Sequence, residues 1–219
     1  MLKIVVFDSG FGGELFADEL ADKLAVAEII RVIDWRHAED IQSSPRKARK
    51  LAEEALKPYL NKVDLIIFAN YLLSATSLKY FKRKYKSQKF IGLKLTVPNS
   101  DIKRETLILT TKPLTFTTNY YNYLFCLKRK TKTLTLDAWP QKIDDGELEI
   151  SEISDALKPA LEKDNFKPKD AILLCSQFSD IKSELRNVLG YNLKIHDSFS
   201  DTIYEACKIL KIRSYKKKV

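Results

Sequence analysis

The chain has 219 residues, of which 45% are hydrophobic and 31% charged, and a formal net charge of +9. This length fits two lobes of about a hundred residues, each able to bury a modest core. No apolar run reaches the roughly eighteen residues that a membrane span requires, and no basic leader precedes the first strand-like segment, so we expect a cytoplasmic protein. The three cysteines are widely spaced, which argues against disulfides and a structural metal.

The positive charge raises the question of a polyanionic partner. The segment from Leu78 to Lys89 mixes basic and aromatic residues, as nucleic-acid-binding surfaces do. The basic residues are mostly lysines spread along the chain, however, and no DNA- or RNA-binding motif accompanies them. We therefore predict no nucleic-acid partner, and a solvated tail at Lys216 to Lys218.

Short apolar runs alternate with amphipathic stretches along the whole chain. This alternation is typical of parallel strands joined by crossover helices, so the predicted fold class is α/β, with two similar lobes, a helix-flanked parallel sheet in each, and a cleft between them. The predicted strands are, in chain order, Lys3 to Phe7, Ile29 to Ile33, Asp64 to Phe68, Phe90 to Leu93, Thr106 to Leu109, Thr133 to Leu136, Asp170 to Leu174 and Leu193 to Ile195.

The two halves of the chain resemble each other. The run from Asp64 to Asn70 aligns with the run from Asp170 to Ser176, which predicts a duplicated unit. Loops that follow parallel strands lie on one edge of a sheet, so two such lobes can face these edges toward one another, with Ala69 and Cys175 in equivalent places. We predict lobe one from residue 1 to 94, completed by residues 196 to 219, and lobe two from 95 to 195.

A glycine-rich turn follows the first predicted strand: Asp8-Ser9-Gly10-Phe11-Gly12-Gly13 leads into a helical pattern. Such a turn can bind a phosphate or carboxylate through backbone N–H groups and the positive helix end. A dinucleotide site is excluded by Leu15, which stands where the third glycine belongs, and no Gly-Lys-Ser/Thr follows for a phosphate-binding P-loop. The alternative is that these glycines simply turn the chain.

Two aspartates at strand ends could handle protons or cap helices. Asp8 ends a buried-looking strand, where desolvation can tune a carboxylate, and Asp197 follows the last strand. The histidines, His37 and His196, have no spaced partner for a metal or a catalytic triad.

Cys175 is the cysteine placed for chemistry. It lies in a strand-to-helix turn, where helix-end N–H groups favour a reactive thiolate near neutral pH. Cys126 and Cys207 lie among apolar residues at helical spacing, which predicts that both are packed in the core.

Together these motifs resemble the aspartate/glutamate racemase superfamily over nearly the whole chain. The run Phe7-Asp8-Ser9-Gly10-Phe11-Gly12-Gly13 resembles the FDSGxGG signature of that family. Ala69-Asn70 stands where the family has Cys-Asn, and Leu174-Cys175-Ser176-Gln177 where it has Gly-Cys-Thr-His. Thr110, Thr111, Thr117 and Tyr120 are spaced like the residues of a substrate-binding segment in that family. Asp197-Ser198 resembles a turn that the family has near its C-terminus.

The resemblance implies a cofactor-free mechanism in which two cysteines flank the substrate Cα, one removing a proton and the other delivering one to the opposite face. It implies a small acidic amino acid or other carboxylate as the ligand, and allows a homodimer. Catalytic roles are implied for Cys175 and Asp8. Contacts to the substrate are implied for Ser9, Gly10, Asn70, Tyr71, Thr111, Thr117, Ser176 and Gln177.

The sequence departs from the family pattern at positions that matter for this mechanism. Ala69 replaces the first cysteine, Gln177 replaces a histidine, and Tyr71 and Leu114 replace threonines. Alanine cannot carry a proton, so ordinary two-thiol racemisation is not expected. Three interpretations stay open: an isomerase with altered proton transfer, a single-cysteine decarboxylase-like lyase, and a binding protein on a racemase scaffold.

Overall fold

Eight strands form two parallel sheets in the computed structural model, which describes residues 1–95, 104–127 and 130–212, and only the backbone at residues 42, 43, 125 and 126. The first sheet has the order β2-β1-β3-β4, and its strands are β1 Leu2–Asp8, β2 Ala27–Ile33, β3 Leu65–Phe68 and β4 Phe90–Gly92. The second has the order β6-β5-β7-β8, and its strands are β5 Thr106–Thr110, β6 Thr131–Thr135, β7 Asp170–Leu173 and β8 Lys194–His196.

Helices connect the strands as crossovers. Those of the first half are α1 Phe11–Lys23, α2 Ala38–Ser43, α3 Pro45–Leu56 and α4 Tyr71–Lys84. Those of the second half are α5 Lys112–Thr115, α6 Thr118–Leu127, α7 Trp139–Asp144, α8 Ile150–Glu162, α9 Lys182–Leu189 and α10 Phe199–Ile209. Single turns of 3-10 helix lie at Trp35–His37 and Gln177–Ser179.

The predicted fold class is confirmed, and each of the eight predicted strands overlaps an observed one. The two sheets also share one strand order, as the predicted duplication requires. The side-chain faces correct the detailed alignment by one residue. Phe7 and its partner Phe68 point to the outer layer of the first sheet, and Leu109 and its partner Leu173 point to the outer layer of the second. Phe68 therefore corresponds to Leu173, which makes Cys175 the counterpart of Asn70 and not of Ala69.

Alternating side chains along each strand divide the core into layers. In β1, Val5 and Phe7 pack with Phe68 against α3 and α4 on one face of the first sheet. The second sheet has a matching outer layer, in which Leu107 and Leu109 pack with residues of α7, α8 and α9. Burying each large apolar side chain stabilises the fold by about 1.5–3 kcal/mol, so each sheet has a core of its own.

A third apolar cluster joins the two sheets. It contains Tyr71 and Leu72 from α4, and Leu114 and Leu174 from the second half of the chain. Helix α10 belongs to the same cluster and packs on α1, where the rings of Phe16 and Phe199 meet edge to face at 5.1 Å. The inner faces of the two sheets are therefore joined by packed apolar side chains.

Among the described helices, none combines the length and apolar character needed to cross a bilayer. Cys207 is 3% exposed within the third cluster, which confirms the prediction of a core cysteine. The side chain of Cys126 and the Lys216 to Lys218 tail lie outside the described residues.

Candidate functional site

Turns from both sheets meet where β1, β3 and β7 end. The carboxyl ends of parallel strands share one edge of a sheet, which is where ligands bind in open α/β folds. A cavity of about 30 Å³ lies here. Its walls are Asn70, Tyr71, Leu72, Thr111, Leu114, Leu174, Cys175, Ser176 and Gln177.

Asp8 lies at the centre of this junction and is fully buried. Its Oδ1 accepts hydrogen bonds from the Ser9 N–H at 2.7 Å and from Asn70 Nδ2 at 2.9 Å. Its Oδ2 accepts one from Ser176 Oγ of the second sheet at 2.9 Å. The carboxyl group therefore joins the turn after β3 to the turn after β7.

Burial raises the pKa of Asp8 to about 7. The hydrogen bonds from Asn70, Ser9 and Ser176 stabilise the ionised form and oppose this rise, while the nearby charge of Asp144 adds to it. Asp8 therefore titrates near neutral pH inside the fold.

Cys175 is mostly buried, with a small part exposed, and belongs to a short hydrogen-bonded chain. Its Sγ donates to Gln177 Oε1 at 3.0 Å, and Ser176 Oγ lies 3.2 Å from the same oxygen. Gln177 Nε2 lies 3.4 Å from Asp144 Oδ2 and donates to it. The thiol proton is thus engaged by a neutral amide oxygen, at the position where the resembling family has a histidine.

The prediction of a thiolate at Cys175 is wrong. Burial raises the thiol's pKa far above its ordinary value, and the charges of Asp8 and Asp144 raise it further. Backbone N–H groups of Gln177 and Phe178 oppose this rise without overcoming it. The physical reason is that burial, the largest of these effects, outweighs the hydrogen bonds from the two backbone N–H groups.

The helix end predicted to bind an anion already holds one from the protein itself. At the start of α1, the Phe11 N–H donates to Asp144 Oδ1 at 2.9 Å. Burial raises the pKa of Asp144, and this hydrogen bond partly offsets the rise. Sequence reasoning missed Asp144 because the residue ends a short helix, α7, far along the chain, and only the tertiary fold brings it to Phe11.

The glycines of the turn allow the two halves of the chain to approach closely. A Cβ placed on Gly12 would lie 2.4 Å from Ser176 Cβ and 2.5 Å from the Gln177 backbone nitrogen. A Cβ on Gly10 would lie 2.5 Å from Gln177 Nε2. These glycines therefore have a packing role between the sheets.

Two bulky side chains occupy positions where the resembling family has threonine. Leu114 is 1% exposed and Tyr71 is 4% exposed. The Tyr71 hydroxyl accepts a hydrogen bond from the Ser198 N–H at 3.1 Å. Burial and the charge of Asp197 raise the pKa of Tyr71, so its phenol stays neutral. These side chains leave little free volume at the junction.

Most of the predicted site residues come together, but some have structural contacts elsewhere. Thr111 lines the cavity, whereas Thr117 donates to the Leu114 carbonyl at 2.8 Å and accepts from the Tyr120 N–H at the start of α6. Asp197 accepts from the Phe199 N–H and from Ser179 Oγ, each at 3.1 Å. The N-cap position of α10 is Ser198, however, so Asp197 does not take the capping role that the sequence also allowed. Ser9 Oγ is buried and has no hydrogen-bond partner among the described residues.

The two histidines pair with aspartates outside the cavity. His37 Nδ1 lies 2.8 Å from Asp34 Oδ1, and His196 Nε2 lies 2.7 Å from Asp170 Oδ1. Within the described part of the chain, no three His, Cys, Asp or Glu residues cluster so that they could hold a metal ion.

Comparison with known proteins agrees with this fold. No family model matches the sequence. A curated glutamate racemase from Campylobacter concisus is 26% identical, over 92% of this chain and 80% of the relative. The glutamate racemase structure from Campylobacter jejuni has a TM-score of 0.79 at 22% identity, covering 99% of this chain and 88% of that one.

The Escherichia coli glutamate racemase, solved in complex with L-glutamate and an activator, has a TM-score of 0.81 at 18% identity. That match covers 100% of this chain and 85% of the other. Sequence and structure comparisons together confirm the resemblance to the aspartate/glutamate racemase superfamily.

Proposed function

Within that superfamily, we propose that this chain is a glutamate racemase-like protein that binds a small acidic amino acid, without a cofactor, between its two sheets and does not invert it. The observation that carries the proposal is that the residues described at the junction include one thiol, Cys175, while Ala69 offers no second proton carrier.

Inversion at Cα requires one group to remove a proton from one face and another to deliver a proton to the opposite face. Ala69 has no ionisable group and is fully buried. Tyr71, two residues further, is held neutral by burial, and its hydroxyl already accepts the Ser198 N–H. Asp8 is fully buried behind Asn70 and Ser176, which both donate to its carboxyl group. Among the described residues on this side of the junction, none is ready to act as the second base.

Cys175 itself is suited to donate a proton and poorly suited to remove one. A base must be deprotonated, and the raised pKa keeps this thiol protonated at neutral pH. Its hydrogen bond to Gln177 Oε1 also stabilises the S–H form. A single neutral thiol supports one half of a racemisation at most.

The ligand class rests on the relatives and on the polar groups that remain. The Escherichia coli and Francisella tularensis glutamate racemases were solved with glutamate bound. Here Asn70, Thr111 and Ser176 still line the junction. Its free volume of about 30 Å³ is far below the roughly 300 Å³ or more of typical ligand pockets. An amino acid therefore enters only when Tyr71 and Leu114 move or the sheets part, and we expect weak binding.

A single-cysteine decarboxylase-like lyase is the second candidate, and the neutral thiol favours it. When a substituted malonate loses carbon dioxide, the broken C–C bond leaves an electron pair on the α-carbon. Cys175 could deliver its proton to that carbon, and the resulting thiolate would regain a proton from water. This chemistry needs an acid on one face and no base on the other.

The proposal is tested with the purified protein in deuterium oxide, incubated separately with L- and D-glutamate and L- and D-aspartate. NMR measures exchange at Cα, optical rotation measures inversion, and calorimetry measures binding. We expect binding without inversion. Inversion of either enantiomer that disappears in Cys175→Ser would contradict the proposal. Release of carbon dioxide from an aryl-substituted malonate, lost in Cys175→Ser, would establish the lyase instead.

A further inference from the structure

The net positive charge of the protein is concentrated in one segment. Residues 45–94 contain 13 basic and 3 acidic residues, whereas the rest of the chain contains 25 basic and 26 acidic residues. The expectation of no nucleic-acid partner rested on basic residues that are spread along the chain. The basic residues are indeed spread, but the acidic residues that would balance them are nearly absent from this segment.

The fold places this charge on two neighbouring helices. Helices α3 and α4 cover the outer face of the first sheet and are joined by Ala48, Ala52 and Phe81. Their packed sides are apolar, so their basic side chains point to solvent. We call this surface the α3–α4 basic face, and define it by the exposed or partly exposed residues Arg46, Arg49, Lys50, Lys79, Arg83 and Lys84.

A depression of about 490 Å³ lies on the α3–α4 basic face. It is lined by Arg49, Lys79, Tyr80, Arg83 and Lys84, with no acidic residue among them. Lys79 and Arg83 stand four residues apart on α4 and so share one side of the helix. Neither forms an ion pair within the described part of the chain. Both cations are available to an external anion.

The acidic residues near this face are already paired. Glu53 Oε1 accepts from the hydroxyls of Tyr80 and Tyr85, each at 3.0 Å, and from Lys84 Nζ at 2.6 Å. Glu54 lies 3.8 Å from Lys50. The Arg49 guanidinium stacks 4.5 Å above the Tyr80 ring. Because these groups fix Tyr80 and Arg49 in place, the surface is ordered before any ligand arrives.

We propose that the α3–α4 basic face binds the phosphate backbone of nucleic acid without base specificity. Cations arrayed on two helices match a polymer of phosphates better than a single phosphate. Arg49 and Lys84 both lie over the Tyr80 ring, at 4.5 Å and 5.4 Å from its centroid, so we expect contacts to phosphates rather than base stacking here. Arg83 can contact a phosphate with two N–H groups.

The same face lacks what a membrane surface would need. Membrane-binding surfaces combine basic residues with exposed apolar anchors. The exposed large apolar side chains of the described residues all lie outside residues 45–94. A nucleic-acid backbone, which requires charge alone, is therefore the better match.

The test uses fluorescence anisotropy with a labelled single strand of about 20 nucleotides, longer than typical single-strand sites, and with its duplex. Salt is varied from about 50 to 200 mM. We expect the logarithm of the association constant to fall linearly with the logarithm of salt concentration. The Lys79→Gln/Arg83→Gln variant should reduce that slope by about two and weaken binding about tenfold or more at low salt.

The control is Lys158→Gln/Lys163→Gln, which removes the same charge from exposed residues at the end of α8. Circular dichroism verifies that both variants fold. The control should bind as the native protein does. The proposal is overturned if the native protein binds neither oligonucleotide, if both variants lose affinity equally, or if vesicles containing anionic lipid bind while the oligonucleotides do not.

Discussion

The turns that follow β3 and β7 occupy the same place in two sheets of identical strand order, yet they do different things. After β3, Asn70 caps α4 by accepting the Leu73 N–H at 2.9 Å, and Tyr71 enters the helix at once. After β7, Cys175 and Ser176 precede only a 3-10 turn and join a hydrogen-bonded chain through Gln177. One turn supplies a helix cap and apolar packing, and the other supplies a thiol and a polar chain.

This difference shows that two turns at equivalent positions of a duplicated scaffold can have different chemical roles. The topology brings both turns to one junction, but the side chains decide whether a proton can be carried there. At the first turn, Ala69 and Tyr71 fill the space with groups that do not ionise near neutral pH. At the second, Cys175 remains but stays protonated. The predictions below either supply the first turn with a thiol or disturb the contacts that join the two turns.

The largest expected effect comes from restoring the first turn to the racemase pattern. The variant Ala69→Cys/Tyr71→Thr/Leu114→Thr/Gln177→His supplies a second thiol, enlarges the cavity and places a histidine beside Cys175. Because losing an acid or base costs a factor of about a hundred to ten thousand in rate, we expect Cα exchange of glutamate to rise by at least about a hundredfold. NMR in deuterium oxide measures this rise.

The matched control carries the same substitutions without Ala69→Cys. It should bind glutamate as the full variant does but give no inversion, because one face still lacks a proton carrier. If the full variant binds glutamate and neither exchanges nor inverts it, the missing thiol was not the limiting defect, and the comparison between the two turns fails.

A second prediction concerns Asp8, which joins the two turns. Its folded-state pKa is about 7, against about 3.9 in an unfolded chain. Between these pH values the folded state binds more protons, so the free energy of unfolding falls as pH rises, by up to about 4 kcal/mol from this group. Asp8→Asn should remove this slope, since the amide Oδ1 can accept from Ser9 and Asn70 while Nδ2 donates to Ser176 Oγ.

Urea unfolding at pH 5 and pH 8, the latter above the Asp8 pKa, measures the difference. Relative to the native protein, Asp8→Asn should be more stable at the higher pH than at the lower. Asp22→Asn, on the exposed side of α1, should keep the pH dependence of the native protein. Equal pH dependence in the native protein and Asp8→Asn would show that the buried carboxyl does not titrate in this range.

A smaller effect is expected from Gly12→Ala. The added Cβ would meet the Ser176 side chain and the Gln177 backbone at about 2.5 Å or less, which forces the two halves apart. Overpacking of this kind costs about 1–3 kcal/mol. Hydrogen exchange should become faster in Ser176 to Asp180, because that turn loses its contact with α1.

Gly146→Ala is the comparison for this variant. Its new Cβ would meet nothing within 4 Å, but the backbone has φ +71°, so it should lose only about 1 kcal/mol through backbone strain. Exchange near Ser176 should be unchanged. If Gly12→Ala matches the native protein in stability and exchange, the glycines do not hold the sheets together.

The sequence is sufficient to predict the fold because its signals are local. Apolar runs such as Ile4 to Phe7 and Leu65 to Phe68 form buried strands, and the order of elements fixes which sheet each joins. The FDSGFGG turn and the Cys175 turn both follow predicted strands, and parallel topology brings such strand ends together. Asp8, Asn70 and Cys175 can therefore be assigned to one junction from the sequence alone.

The chemistry of the junction could not be predicted in the same way, because it depends on contacts between distant segments. The pKa of Cys175 is raised by burial and by the charges of Asp8 and Asp144. Both aspartates are far from Cys175 in the sequence. The Asp144 carboxylate at Phe11 has no local signal either. The one-residue shift between the two turns appeared only in the strand pairing and the faces that the paired side chains take. Burial and long-range charge decide reactivity, and neither follows from local pattern.

The most direct test of the account is the pH dependence of alkylation at Cys175. Native protein is labelled with iodoacetamide across a range of pH, peptide mapping by mass spectrometry separates Cys175 from the other cysteines, and circular dichroism verifies that the fold persists. We predict that Cys175 labels slowly near neutral pH and that its rate rises only above about pH 8.5, the ordinary thiol pKa. A rate that reaches its plateau below that pH would show a thiolate at Cys175 and contradict the account.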